Sequence, residues 1–272
     1  MAKLKKKLQK KIPWVLTKSA GGHKRPVRVV VVGDIILDEY LDGMVNRISP
    51  EAPVPVHHVK KANHTAGGAA NVARNIKLAG GDVALLSVCG TDEAANTLKK
   101  ILEGDGIDTS HILSVSDRPT VRKTRVSANH HQIVRIDWEN VQPIEQREQD
   151  ELLGILKNME FDALIMSDYG KGCFTSQFLA NLIEIARSRK IPTVVDPKGK
   201  DYSRYAGAYL ITPNLKEACE AVGIDPSDPP PELLNTLTGE ELGRRLLNTY
   251  NIQNVLVTMG AKGMVLTPGI EK

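Results

Sequence analysis

Cysteine is scarce in this 272-residue chain: Cys89, Cys173 and Cys219 stand far apart, in no metal-ligand or redox spacing. That scatter excludes a disulfide framework and points to buried thiols in a reducing compartment, hence a cytoplasmic location. No apolar run reaches membrane length. The patch from Ile12 to Leu16 is interrupted by Pro13 and is too short for a signal-peptide core or a span. There is no internal repeat, and no acid among the first 26 residues, which carry nine Lys or Arg. The formal charge of +4 therefore misleads, because the remainder has 27 basic against 32 acidic residues. The tail over 1–26 reads as a solvated, poorly ordered extension; a nucleic-acid arm, a membrane-surface arm and a presequence are the alternatives. No recognition motif accompanies its charge, so neither nucleic acid nor membrane is expected as a partner.

What is present is ordinary globular composition, 41% hydrophobic and 25% charged, long enough to bury a substantial core. Val27 to Val32 is a continuous β-branched run, the pattern of a strand covered on both faces. Further strands are predicted over 83–88, 161–167, 192–195, 208–212 and 254–258, with helices from Gly67 onward and over 95–102, 175–189, 215–222 and 239–249. A proline-rich loop, with Pro226 and Pro229 to Pro231, precedes the last helix. Strands alternating with helices predict an α/β doubly wound, mainly parallel sheet. Two stretches break this rhythm. Residues 40–61 are proline-punctuated and extended, and Thr120 to Ser127 with Gln132 to Trp138 reads as a hairpin turning at Ala128-Asn129-His130-His131. Segments 42–61 and 119–138 are thus expected to form a small antiparallel β lid on one domain spanning 27–272.

Polar residues collect at the predicted strand ends: Asp34, then Ser167-Asp168-Tyr169-Gly170-Lys171-Gly172, Asp196-Pro197-Lys198-Gly199, Thr212-Pro213-Asn214-Leu215-Lys216-Glu217, and Thr258-Met259-Gly260-Ala261-Lys262-Gly263. In an open α/β sheet those ends form a crevice. Acids, lysines and glycine turns suit a polyanionic nucleotide with its metal. Each alone also serves as a cap or turn. The Gly67-Gly68 pair before a helix start offers backbone N–H groups to an oxygen-rich ligand, or is plain turn chemistry. Arg122, Lys123 and Arg125 on the hairpin either guard an edge strand or bind an anion.

These residues resemble the ribokinase, or PfkB, family of sugar kinases. The likeness is carried by Gly33-Asp34 with Leu37-Asp38, Arg47-Ile-Ser-Pro-Glu-Ala-Pro-Val-Pro-Val56, Gly67-Gly68-Ala-Ala-Asn71 and Thr124-Arg125-Val126. It continues through Ser167-Asp168-Tyr169, Asp196-Pro197-Lys198-Gly199 and Asn214 with Glu217. The run from Arg47 to Val56 resembles the heptose 7-phosphate kinases within it. The resemblance implies a ribokinase-like fold, ATP and Mg2+, transfer to the anomeric hydroxyl of D-glycero-β-D-manno-heptose 7-phosphate, and a homodimer. It implies that Asp34, Asp38, Gly67, Gly68, Asn71 and Asp168 hold the sugar, with Arg47, Lys123 and Arg125 on its phosphate. Asp196, Lys198, Asn214, Leu215, Lys216, Glu217, Thr258, Gly260 and Gly263 fall to ATP, with Asn214 and Glu217 organising magnesium through water. The family's base, an Asp in a Gly-Ala-Gly-Asp sequence after the strand ending at Thr258, does not occur among the 272 residues. The expectation is a C-terminally truncated kinase domain, impaired in turnover.

Overall fold

A computed structural model describes residues 26–129, 131–225, 227 and 238–269. The basic tail through residue 25, His130 in the hairpin turn, and the prolines of the 226–237 loop lie outside the described residues.

The first strand, β1 (Arg28–Gly33), sits near the middle of an eight-stranded sheet. Its alternation explains the unbroken apolar run. Val30 and Val32 face one core cluster and Val29 and Val31 the other, so both pleat faces are buried. On one side stand β4 (Asp82–Cys89) and β5 (Ile112–Ser114). On the other, in order, stand β8 (Ala163–Ser167), β9 (Thr193–Asp196), β10 (Leu210–Ile211), β11 (Asn254–Thr258) and β12 (Met264–Pro268). All pairings are parallel except β11 with β12.

Helices cover both faces, as the periodicity predicts. One face takes α1 (Ala69–Leu78) and α2 (Glu93–Gly104) through Ala70, Ala73, Leu98 and Leu102. The other takes α3 (Gln146–Lys157), α4 (Ser176–Ser188), α5 (Leu215–Ala221) and α6 (Gly239–Thr249) through Leu152, Phe178, Leu182, Ala218 and Leu246. Helix α3 and strands β5 and β12 were not foreseen, and β10 is shorter than expected. Thr193 Oγ1 accepts the Tyr209 N–H at 2.9 Å, replacing a ladder bond at the start of β10.

The lid is a separate four-stranded sheet ordered β3, β2, β6, β7. It comprises β2 (Ile35–Ile48), β3 (Pro55–Gly68), β6 (Arg122–Ala128) and β7 (His131–Trp138). Its two hairpins are antiparallel, and the β2–β6 seam that joins them is parallel. All three cysteines are free and buried. Among the described residues no helix is long and apolar enough to cross a membrane.

Candidate active site at the strand ends

Parallel registry brings the predicted polar segments to one edge. Gly33 pairs with Ser167 and Ser167 with Asp196, while Asn214 bridges Thr258. Asp34, Asp168, Asp196, Asn214 and Thr258 therefore follow one another along the carboxyl ends of the strands.

Two of these acids turn inward. Asp34 is 4% exposed, and its carboxylate accepts the backbone N–H groups of Tyr169 at 2.8 Å, Lys171 at 3.1 Å and Cys173 at 3.0 Å. Burial pushes its carboxyl upward from the usual range, against the pull of those three donors, and the nearby Asp168 adds to the rise. Asp168 is 3% exposed and accepts from Gly170 N at 2.8 Å and the Tyr205 hydroxyl at 2.7 Å. Both were expected to meet the sugar. The structure employs their oxygens in shaping the 168–173 loop, where the N–H groups of Tyr169, Gly170, Lys171 and Cys173 find their acceptors in these two carboxylates.

Asp38 is placed differently. It lies four residues on in β2, partly exposed, and forms an ion pair with Arg125 of β6. In the parallel register Asp38 sits beside Lys123 and Tyr40 beside Arg125, so the four share one lid face. The Arg125 guanidinium lies 5.2 Å from the Tyr40 ring centre, and the Lys123 ammonium 6.0 Å from that of Tyr169. That face therefore looks onto the loop after β8. Burial, with Lys171 close by, lowers the Lys123 pKa. The opposite lid face exposes Val134, Ile136 and Trp138.

The glycine pair fits between lid and helix. A Cβ on Gly67 would collide with Asp38 Oδ2, and Gly68 caps α1 at a φ of 58° that an L side chain rarely adopts. Asn71 is exposed in the first helical turn. Asp38, Gly67, Gly68 and Asn71 thus form one corner. Arg47 does not join it: it is exposed near the hairpin tip, about 30 Å further along β2 at ordinary strand rise.

Toward β10 and β11, Asn214 and Glu217 form a reciprocal capping box for α5, with bonds of 3.0 and 3.1 Å. The other Glu217 oxygen meets Lys198 Nζ at 3.1 Å. Burial and then the neighbouring Glu217 raise Asp196 to about 6, against the pull of Lys198. Lys216 points to solvent toward Glu220, and Leu215 is half-buried against the core. Gly260 opens a 3₁₀ turn after β11 and Gly263 follows it, both with open space where a side chain would be. Among the described residues no three His, Cys, Asp or Glu side chains converge as a ready metal cage. Lys171, whose place in a strand-end run is its sequence signal, meets Glu139 at 2.8 Å.

A mainly parallel sheet flanked by helices on both faces, with a small β lid, defines an α/β fold of the ribokinase type. The solved ribokinase of Arabidopsis thaliana, complexed with ribose and ATP, aligns at a TM-score of 0.68 and 18% identity over 90% of this chain and 76% of its own. Escherichia coli phosphofructokinase-2, in a tetrameric inhibited form, aligns at 0.68 and 19% over 90% and 78%. Residues 27–269 match the pfkB family of carbohydrate kinases, and the chain belongs to that family. It is 43% identical over 246 residues to the bifunctional protein HldE of Geobacter metallireducens, covering 90% of this chain and 49% of that protein. The HldE of Aliarcobacter butzleri is 39% identical over 245 residues, covering 89% and 50%. The chain spans about half the length of the curated relatives it matches.

Proposed function

We propose that this chain is the sugar-kinase portion of a heptose-activating enzyme, transferring the γ-phosphoryl of ATP to the anomeric hydroxyl of D-glycero-β-D-manno-heptose 7-phosphate. The product, a 1,7-bisphosphate, serves the ADP-heptose route to lipopolysaccharide core. The observation that carries this reading is the 43% identity to a bifunctional HldE over nine-tenths of the chain. The inner lid face supports it chemically, because a substrate that already bears a phosphate needs the cations that Lys123 and Arg125 offer there.

In this reading Asp38 and Asn71 accept and donate to sugar hydroxyls, and Gly67 and Gly68 let the sugar approach the backbone. Asp34 and Asp168 act one step back by fixing the 168–173 loop. Lys198 faces the phosphates, and Thr258, Gly260 and Gly263 line the nucleotide. Asp196 and Glu217 offer hard oxygen donors that fit a hydrated magnesium ion, with Asn214 placing Glu217. Bound there, magnesium would neutralise phosphate charge. Lid closure excludes water, so that ATP is not simply hydrolysed. A cytoplasmic setting fits a nucleotide substrate and free thiols. The exposed outer lid face, with Val134, Ile136 and Trp138, fits a second copy of this chain, which sedimentation equilibrium would reveal as a dimer.

The 272 residues contain no Gly-Ala-Gly-Asp, so turnover by this stretch alone is expected to be weak. A second reading, a sugar-phosphate-binding protein without catalysis, rests on the same cationic lid face of Lys123 and Arg125. Another PfkB carbohydrate or nucleoside kinase is the alternative within the same chemistry. A coupled ADP-release assay across phosphosugars, run on this chain and on one extended past Lys272, separates them. ADP release with heptose 7-phosphate by the extended chain supports the proposal. Response only to another sugar removes the heptose, and strong turnover by the 272 residues removes the claim of impairment.

A further inference from the structure

Both ends of the β6–β7 hairpin meet at one guanidinium. Arg118, just before β6, donates from Nη2 to the Asn140 carbonyl at 2.9 Å, just past β7, and to the Lys171 carbonyl at 2.8 Å, in the loop after β8. The Gln142 carbonyl lies at 3.4 Å from the same nitrogen. A guanidinium holds its N–H groups in fixed directions, so these bonds set the relative position of three separate segments. The gripped loop is the one Asp34 holds from inside. Contact is close enough that a Cβ at Gly172, where φ is 90°, would run into the Gln142 carbonyl and the guanidinium. The Gly172 carbonyl also accepts the Ile144 N–H at 2.9 Å, and Lys171 Nζ meets Glu139 at 2.8 Å. By contrast, Asp92, which accepts Thr120 N–H at 2.9 Å, secures only the β6 side.

We propose that Arg118 is a positioning residue for the kinase reaction, tying both hinges of the β6–β7 hairpin to the 169–173 loop and so setting Lys123 and Arg125 against the strand ends. The proposal rests on the reading of the second sheet as the cover of the sugar site. Arg118 touches no reacting atom and acts through the three carbonyls. Without it the hairpin and the loop loosen together, the phosphosugar loses its cations, and the nucleotide side, built on β9 to β11, is left as it was.

The test compares the 272-residue chain with Arg118→Met, which keeps the aliphatic stem and removes every donor, and Arg118→Lys, which restores a charged donor group without the planar fork. Hydrogen exchange without ligand is expected to accelerate about tenfold in 122–138 and 169–173 together, with β1 and β4 unchanged and Lys intermediate. Acceleration confined to residues 116–120, or spread evenly over the sheet, would overturn the proposal. By calorimetry, heptose 7-phosphate affinity should fall about tenfold in Arg118→Met while ATP affinity stays within about twofold. Equal losses for both ligands, or no loss of sugar affinity, would contradict it. If the unaltered chain binds no phosphosugar, the proposed function fails, and the exchange pattern still decides the role of Arg118.

Discussion

Asp34 and Asp38 stand four residues apart on the same turn from sheet to lid, and their surroundings differ in kind. Asp34 sits just past the last register of the buried sheet, enclosed, with three backbone donors on its oxygens. Asp38 has crossed into the lid, where one cation faces it and a glycine clears the space beside it. An acid near the end of a buried strand has two possible uses, to satisfy a loop or to meet a ligand; Asp34 takes the first, and the proposed sugar site gives the second to Asp38. A similar contrast recurs at the proposed nucleotide side, where Asn214 satisfies the α5 terminus while Lys198 and Asp196 stand at the edge, Lys198 paired with Glu217.

Asp34→Ala should produce the largest effect. It strands three N–H groups and is expected to cost about 3 kcal/mol or more of folding stability, read by urea denaturation. Asp38→Ala should do the reverse, leaving the urea midpoint within about 1 kcal/mol while weakening heptose 7-phosphate binding on the order of 100-fold. Loss of fold in Asp38→Ala, or a stable Asp34→Ala chain deficient only in sugar binding, would erase the comparison. Gly67→Ala is expected to displace the Asp38 carboxylate and weaken sugar binding about tenfold, with ATP binding unaltered by calorimetry.

The smallest expected effect concerns Asp196. Its folded pKa of about 6 lies above its ordinary 3.8, so the folded state binds the proton more tightly and stability falls as pH rises through that window. Asp196→Asn should therefore stabilise the unliganded chain by on the order of 1 kcal/mol at pH 7.5, discounted for its partial exposure, and give no gain below about pH 4. Urea melts at the two pH values check this. Equal gains at both would place the cause in packing instead of charge.

Much of this was legible in the sequence because it depends on pattern. The unbroken run from Val27 to Val32 required two covered faces, and the strand-end polar runs fall on one edge because parallel pairing leaves them no other place. The division between Asp34 and Asp38 was not legible. It depends on which carboxylate meets the N–H groups of a loop about 135 residues away, and no local spacing encodes that. Arg47 illustrates the same limit: its motif marks the family likeness, while the length of β2 carries it away from the corner where Asp38 lies. The basic hairpin carried two readings; β6 pairs with β2 on one side and β7 on the other, so its cations guard no edge, and anion binding is the reading proposed for them.

Calorimetric titration of heptose 7-phosphate into the unaltered chain, Asp34→Asn and Asp38→Asn, each shown folded by its urea midpoint, tests the central claim most directly. The account predicts that Asp38→Asn folds like the parent and loses most of its sugar affinity, while folded Asp34→Asn retains affinity and loses stability. Parent-like sugar affinity in Asp38→Asn would contradict it.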